Sequence, residues 1–351
     1  DLLLKIALVT LGDPQRLTGG YLYHLRVAEL APRHGAQIDF VSFPDRAFPL
    51  PLAWGGRVLQ QVKALRARAI LLDSICAGYL APWLWLRPPK IPILAILHQG
   101  PGGIGQSWLR SRLQAGLDRL AYSKVSGFLV ASQSLRDELP FPSHKMQVMA
   151  PGCDVSSAPS ATVVDLRLGR QAAILCVANW ARMKDIVSLL EAFDGLPEGL
   201  ATLHLVGDEE ADPPYRQSVL QRLQGLSHRV VRHGKKTRDE VAVLYRSADF
   251  LVLNSLRETY GTVYGEAMAK GLPVVGWRAG NLPHLARHEV EGLIVEPGDI
   301  GGLREALSRL ATDLELRQRL GSAAQTRAAE LPTWDQTTSS IVQAIDRKSV
   351  V

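Results

Sequence analysis

Cysteine is scarce in this 351-residue chain: Cys76, Cys153 and Cys176 stand far apart and form no C-x-x-C pair. That excludes a disulfide-stapled framework and zinc-site spacing, and it suits a reducing compartment. Long uncharged apolar runs are missing too. The longest apolar stretch, Ala69 to Leu86, contains Asp73 and Pro82 and makes a poor membrane span. No charged-then-apolar export signal opens the chain, so the expectation is a cytoplasmic protein, soluble or peripheral on the inner face of a membrane. Zinc-finger, RNP-type and basic-zipper patterns are absent, and no nucleic-acid partner is expected. Low-complexity tracts and short repeats are absent as well. What remains is 46% hydrophobic and 21% charged, with 30 Gly and 21 Pro. This is ordinary globular composition, and the length suits two domains with cores that need no disulfide or structural metal.

The net charge of +6 is unevenly spread. Residues 1–165 carry 17 Lys and Arg against 11 Asp and Glu, whereas residues 166–351 balance at 23 each. Between Arg46 and Lys124, 11 basic residues face only Asp73 and Asp118, and Trp54, Trp83, Trp85 and Trp108 fall in the same window. A basic excess is often no more than a solvated face. Basic residues mixed with Trp also suit an anionic membrane interface, which makes residues 46–124 the candidate for such a contact.

Short apolar runs alternate with amphipathic stretches, the pattern of parallel sheets flanked by helices. Strands are expected at Lys5–Thr10, Gln37–Phe43, Ala69–Leu72, Ile93–Leu97, Gly127–Ala131 and Met146–Met149. After Pro151 the pattern restarts, with strands at Ala173–Val177, Ala201–Val206, Arg229–His233, Phe250–Leu253, Pro273–Gly276 and Gly292–Val295. Two consecutive wraps of similar size imply two Rossmann-like domains, with the crossover in the turn Ala150 to Asp154 and a loop over Val155–Val164. The run His98 to Gly105 after the fourth strand contains G-x-G-x-x-G. A nicotinamide site also needs an acid at the end of the next strand, and that strand ends in Ser132-Gln133, so this reading is set aside.

The informative region runs from Asp249 to Val275: a buried strand, a loop with Glu258, a helix opening near Gly261, Glu266 on that helix, and a second strand after Gly271-Leu-Pro273. Gly261 lets a ligand approach the backbone, and the free N–H groups from Gly261 to Val263 suit phosphate. The Glu266 carboxylate can accept two hydrogen bonds from a ribose diol, and Glu258 can accept from sugar hydroxyls.

With these residues in place, the sequence resembles the retaining GT-B glycosyltransferases of the GT4 family. Glu258 and Glu266, eight residues apart and followed by Ala267-Met268-Ala269, look like that family's donor motif. The resemblance extends over nearly the whole chain, through Thr18-Gly19-Gly20, His98, Ser132, Pro151 to Asp154, Lys184, Val206-Gly207-Asp208 and Trp334. It implies a GT-B fold: an acceptor-binding domain over residues 1–152, joined by a returning C-terminal helix at 333–351, and a nucleotide-sugar domain over 153–332, with parallel sheets facing a central cleft. It also implies transfer of a hexose from a nucleotide sugar, with no cofactor and no metal. In that scheme His98, Glu258 and Lys184 are catalytic: Glu258 holds the donor's hydroxyls, Lys184 neutralises the leaving diphosphate, and His98 lies near the anomeric centre. Glu266 takes the ribose, the Gly261 and Thr262 amides take the diphosphate, and Gly19 and Gly20 let the first loop close.

Three positions depart from the family pattern. Asn179 stands where an Arg is usual, and Arg182 is the nearest replacement cation. Asp185 replaces a Gly after Lys184, and His284 replaces an acid. The Asp-x-Asp pair of metal-dependent transferases is lacking; its nearest counterpart, Asp208 to Asp212, reads as a solvated loop. Arg16, Tyr21 and His24 are the acceptor-binding candidates, for a sugar, a lipid-linked acceptor or a glycan precursor. Two further readings share the architecture. One is a catalytically silent subunit that binds a partner; the other is an epimerase or phosphorylase, the latter needing a cofactor-anchoring lysine such as Lys270.

Overall fold

The computed structural model describes residues 3–15, 19–103, 107–153 and 162–349. The chain forms two units, one of residues 1–152 with 332–351 and the other of residues 153–331. The first unit alternates strands and helices: β1 (Leu4–Leu11), α1 (Gly19–Leu30), β2 (Ala36–Phe43), α2 (Gly55–Ala64), β3 (Ala69–Asp73), α3 (Ala77–Leu86), β4 (Ile93–Leu97), α4 (Trp108–Tyr122), β5 (Gly127–Val130), α5 (Gln133–Glu138) and β6 (Met146–Val148). Its six strands are parallel in the order β2-β1-β3-β4-β5-β6. Every residue of β3, β4 and β5 is buried, as expected of a parallel sheet with helices on both faces.

The second unit runs β7 (Ala172–Val177), α6 (Ile186–Asp194), β8 (Ala201–Val206), α7 (Pro213–Leu223), β9 (Val230–Gly234), α8 (Arg238–Ser247), β10 (Phe250–Val252), α9 (Thr262–Ala269), β11 (Val274–Trp277), α10 (Leu282–Leu285), β12 (Gly292–Val295), α11 (Ile300–Thr312) and α12 (Leu314–Ala328). Its parallel order is β12-β11-β10-β7-β8-β9. This is the doubly wound Rossmann arrangement, whose order reverses between β7 and β10. The order of the first sheet reverses between β1 and β3.

The apolar stretch that reads as a broken membrane span is two elements, β3 and α3. α3 is apolar on almost every side, so no 3.6-residue stripe marks it in the sequence. Among the described residues no helix is long and apolar enough to cross a membrane. α2 stops at Ala64, and Arg66 just beyond it turns into the left-handed region at φ 55°. The loop expected over Val155–Val164 lies mostly outside the described residues.

The final helix, α13 (Trp334–Ser349), belongs to the first unit. It buries Trp334, Thr338, Ile341, Val342 and Ile345, a single stripe at helical spacing. Trp334 meets the edge of Tyr23 at a 5.3 Å ring separation, and the Thr337 hydroxyl donates to the Ala150 carbonyl at 2.8 Å. Gly152 allows this docking, since a Cβ there would lie 2.1 Å from the Trp334 backbone nitrogen. Trp334→Ala should therefore destabilise the first unit by about 3–5 kcal/mol, read as an earlier denaturant midpoint by tryptophan fluorescence and circular dichroism.

Candidate functional site

In an open parallel sheet, ligands gather beyond the carboxyl ends of the strands where the order reverses. For the second unit these ends carry the loops after β7 and β10, and both loops hold residues singled out by sequence. Lys184, in the β7 loop, forms an ion pair with Oε2 of Glu258, in the β10 loop. Oε1 of the same carboxylate accepts from the Gly261 N–H at 3.3 Å. Glu258 therefore lies between an ammonium and the first amide of α9, where an anion is favoured by charge and by free N–H groups.

The backbone explains the placement. Gly261 caps α9 at φ 74°, a conformation glycine adopts freely, and a Cβ there would meet Leu285 at 2.5 Å. Gly280, at φ 55°, packs on the Glu258 backbone so closely that a Cβ would lie 2.6 Å from its nitrogen and oxygen. Asn281 then donates its N–H to the Glu258 carbonyl at 2.8 Å and its side-chain amide to the Tyr260 carbonyl at 3.0 Å. Thr262 is the first residue of α9, and Glu266 lies one turn on. Its Oε2 accepts from the Tyr245 hydroxyl of α8 at 3.0 Å. Burial, reinforced by the Glu266 charge, pushes the Tyr245 phenol up and keeps it a donor. Neither Tyr245 nor Asn281 carries a sequence signal of its own, since their partners lie about 20 residues away.

Two of the departures from the family pattern, Asn179 and Asp185, also have physical accounts. Asn179 accepts the Asp208 N–H at 2.8 Å through its side-chain oxygen, and Arg182 is exposed in the turn before Lys184. Asp185 adopts φ 49°, the left-handed region that suits glycine. Its carboxylate accepts from the Trp277 indole at 2.9 Å and from the Ser188 hydroxyl at 2.8 Å. Its charge is thus engaged beside a cation site. In the loop after β8, Asp208 pairs with Lys235 at 2.9 Å, Glu209 with Arg232 and Glu210 with Arg216, while Asp212 caps α7. Replacing Asp185 tests this. Asp185→Gly relieves the backbone but leaves the buried Trp277 N–H without its acceptor, for a net loss of about 1 kcal/mol. Asp185→Asn keeps an acceptor and should stay within about 0.5 kcal/mol, both measured by thermal unfolding.

In the first unit, Gly19 and Gly20 open α1, while Arg16 lies outside the described residues. Tyr21 is buried and donates its hydroxyl to the Leu11 carbonyl. His24 is 1% exposed, with Nε2 placed 3.0 Å from Asp73 Oδ2 and 3.2 Å from His98 Nε2. Tyr21 and His24 are both buried, and the hydroxyl of one and Nε2 of the other meet protein atoms. Burial pushes His98 down to about 3, with the His24 charge adding to the effect, so its ring is neutral. Burial alone raises the Asp73 carboxyl, but the His24 ring outweighs it and holds the group at about 2.

The metal-free expectation passes over one feature. His24, Asp73 and His98 present three possible ligand atoms within 4.8 Å of one another. Sequence reading missed the group because its members sit on α1, β3 and the end of β4. The one visible sign was an acid closing an apolar run at Asp73. A cavity of about 400 Å3 also opens at the ends of β1 and β2, lined by Gly12, Ser42, Trp54, Arg57 and Gln61 among others.

A family description, glycosyl transferases group 1, matches residues 165–327. An uncharacterised glycosyltransferase of Methanocaldococcus jannaschii is 30% identical across 95% of this chain and 95% of its own length. N-acetyl-alpha-D-glucosaminyl L-malate synthase of Bacillus anthracis is 33% identical over 43% of this chain, and sulfoquinovosyl transferase of Arabidopsis thaliana 34% identical over 45%. These matches span only 39% and 30% of those two relatives. Among solved structures, sucrose-phosphate synthase of Thermosynechococcus elongatus superposes with a TM-score of 0.79 at 20% identity, over 98% of each chain. Anabaena HepE in complex with UDP gives 0.78 at 20% identity, over 98% of this chain and all of that one. Identity of this order along nearly the whole length, on two Rossmann-like units of the GT-B kind, makes the chain a member of the group 1 glycosyltransferases.

Proposed function

We propose that this protein transfers a hexose from a nucleoside diphosphate sugar to an acceptor, with retention of configuration and without a metal ion. The observation that carries the reading is the Glu258 carboxylate held between Lys184 and the amino end of α9. Breaking a sugar–diphosphate bond builds negative charge on the leaving phosphate and oxocarbenium character on the ring. Fixed donors aimed at that phosphate lower the barrier because they need no reorganisation. Lys184, Arg182 and the Gly261 and Thr262 amides supply them. An entering diphosphate takes over Lys184 and the helix terminus, releasing Glu258 to accept from sugar hydroxyls. Glu266, steadied by Tyr245, receives the ribose. The leaving phosphate then takes the acceptor's proton on the same face of the sugar, and no side-chain nucleophile is invoked.

The acceptor side belongs to the first unit, where Arg57, Trp54, Ser42 and Gln61 line the cavity beyond β1 and β2. Arg57 falls in the basic window, and so does an exposed stripe on α4 formed by Leu109, Arg112, Leu113, Arg119 and Leu120. Trp108, 70% exposed, lies under the Arg112 guanidinium at 4.9 Å. Trp85, half exposed, carries the Lys124 ammonium 3.6 Å from its ring centre. Apolar and aromatic groups interleaved with cations on one helix face suit the headgroup layer of an anionic membrane, and we assign the stripe to that contact.

Turnover of UDP-, GDP- and ADP-hexoses is the direct test. Glu258→Ala should lower turnover on the order of 100-fold while nucleotide binding persists. Absence of turnover by the unaltered protein despite nucleotide binding would favour the silent-subunit reading. Tyr245→Phe should weaken binding of the preferred nucleotide about tenfold by calorimetry, the worth of one hydrogen bond to a charged carboxylate. In vesicle co-sedimentation at low salt, the protein should partition to anionic over neutral liposomes, and Leu113→Glu should reduce that preference. Equal partitioning to both liposomes would sink the membrane assignment.

A further inference from the structure

A cavity of about 400 Å3 opens in the first unit where β1 and β2 end. The two strands stop together, with the Gly12 N–H donating to the Phe43 carbonyl at 2.8 Å, and α2 flanks the space beyond them. Its lining has two characters. Phe43, Pro44, Trp54 and Val58 make an apolar wall, while Arg57 and Gln61, one helical turn apart on α2, add a guanidinium and an amide. Packing against α3 fixes the amino end of α2. Gly55 and Gly56 abut the Trp83 ring, where a Cβ would lie 2.0 Å and 2.8 Å away, and the Trp83 indole donates to the Leu52 carbonyl at 2.7 Å. Trp54 and Arg57 flank those two glycines, so a rigid backbone sets both at the edge of the cavity.

Among the described residues Arg57 and Gln61 make no side-chain hydrogen bond or ion pair, and no acid lines the cavity. Other cations of the basic window are engaged by rings: Arg110 lies over Phe48 at 5.7 Å and Arg112 over Trp108 at 4.9 Å. The two acids of that window, Asp73 and Asp118, are 4% and 2% exposed, so it presents almost only positive charge to solvent. A guanidinium is a planar fork that takes two oxygens of one phosphate, and a carboxamide both donates to and accepts from hydroxyls. A space of this volume beside an aromatic ring holds a body of monosaccharide size.

We propose that this cavity binds a hydroxylated group bearing a phosphate, with Arg57 gripping the phosphate, Gln61 a neighbouring hydroxyl and Trp54 the apolar face of the ligand. The phosphate belongs either to a free sugar phosphate or to the headgroup of a phospholipid; the recognition chemistry is the same. That the bound group is the acceptor rests on the sugar-transfer reading; the affinity for phosphate does not. Arg57 acts here on the acceptor's anion, at a distance in sequence from the Lys184 and Gly261 site that the donor's diphosphate uses.

The indole N–H resonance of Trp54, assigned by its loss in Trp54→Phe, reports occupancy of this cavity and not of the Lys184 loop. Glucose 6-phosphate probes the free source, and short-chain phosphatidylglycerol below its micellar concentration probes the headgroup. At least one of them should move the resonance saturably, and plain glucose should do so at least tenfold more weakly. Arg57→Gln should weaken the response about tenfold or more, the loss of a charge-assisted pair. Arg57→Lys keeps the charge but loses the fork and should fall between. Arg33→Gln removes an exposed charge of the same unit outside the cavity and should leave the response unchanged. Circular dichroism identifies an Arg57→Gln protein that has failed to fold, and Arg57→Lys then carries the comparison. Saturation by glucose 6-phosphate alone identifies a free sugar phosphate, and saturation by phosphatidylglycerol alone a lipid headgroup. A resonance that neither probe moves would overturn the proposal, as would equal losses in Arg57→Gln and Arg33→Gln, or tighter binding of glucuronate than of either probe. Arg57-dependent binding in a protein that turns over no nucleotide sugar would refute the transfer reading and leave the phosphate site standing. Turnover of a nucleotide sugar, with both probes bound equally by Arg57→Gln and the unaltered protein, would do the reverse.

Discussion

One carboxylate shared by two positive sources organises the second unit. Glu258 touches Lys184 on one side and the Gly261 amide on the other. Both sources arise from the place where strand order reverses: one loop leaves β7, the other leaves β10, and their neighbouring ends bring them together. The helix contributes roughly half an elementary charge at its amino end, and the lysine contributes a whole one. Left without a counter-ion, such a spot repels itself, so the protein supplies its own. On the proposed reading an entering diphosphate carries more charge than the carboxylate it displaces, which would favour multivalent anions there.

The same topological rule serves the first unit with opposite chemistry. There the end of β3 holds a buried anion, Asp73, and surrounds it with a hydroxyl, an amide and an imidazole. Nothing in that arrangement attracts phosphate. It holds the His24 ring, and a separate cavity at the ends of β1 and β2 is lined by Arg57, Trp54 and Phe43 among others. At these two strand ends, paired charge dominates one site and hydrogen-bond geometry the other.

Much of this was legible in the residues because parallel strands buried on both faces read as short continuous apolar runs. The expected strands at Ile93–Leu97, Ala201–Val206 and Gly292–Val295 match the observed ones at both ends. α3 was not legible, because a helix buried all round loses the stripe that betrays a helix. Glu258 and Glu266 could be read because strand, acid, glycine-opened helix and second acid follow one another in 17 residues or so of chain. The group at Asp73 could not be, since its members stand 49 and 74 residues from their partners and obey no period. Asp185 looked like a charge in the wrong place; only the fold brings Trp277, 92 residues away, to accept it as a partner.

Because the second unit is inserted between Gly152 and Pro332, the first unit does not own a continuous stretch of chain. Its sheet is complete after Val148, yet the face of Tyr23 and Met149 is covered only when Trp334 and Ile341 arrive. A ribosome making this protein must finish an entire second Rossmann-like unit before the first can seal its core. For that interval an apolar face on the earlier-made portion stands open to chaperones and to aggregation, and a message cut short before Trp334 would leave it open permanently.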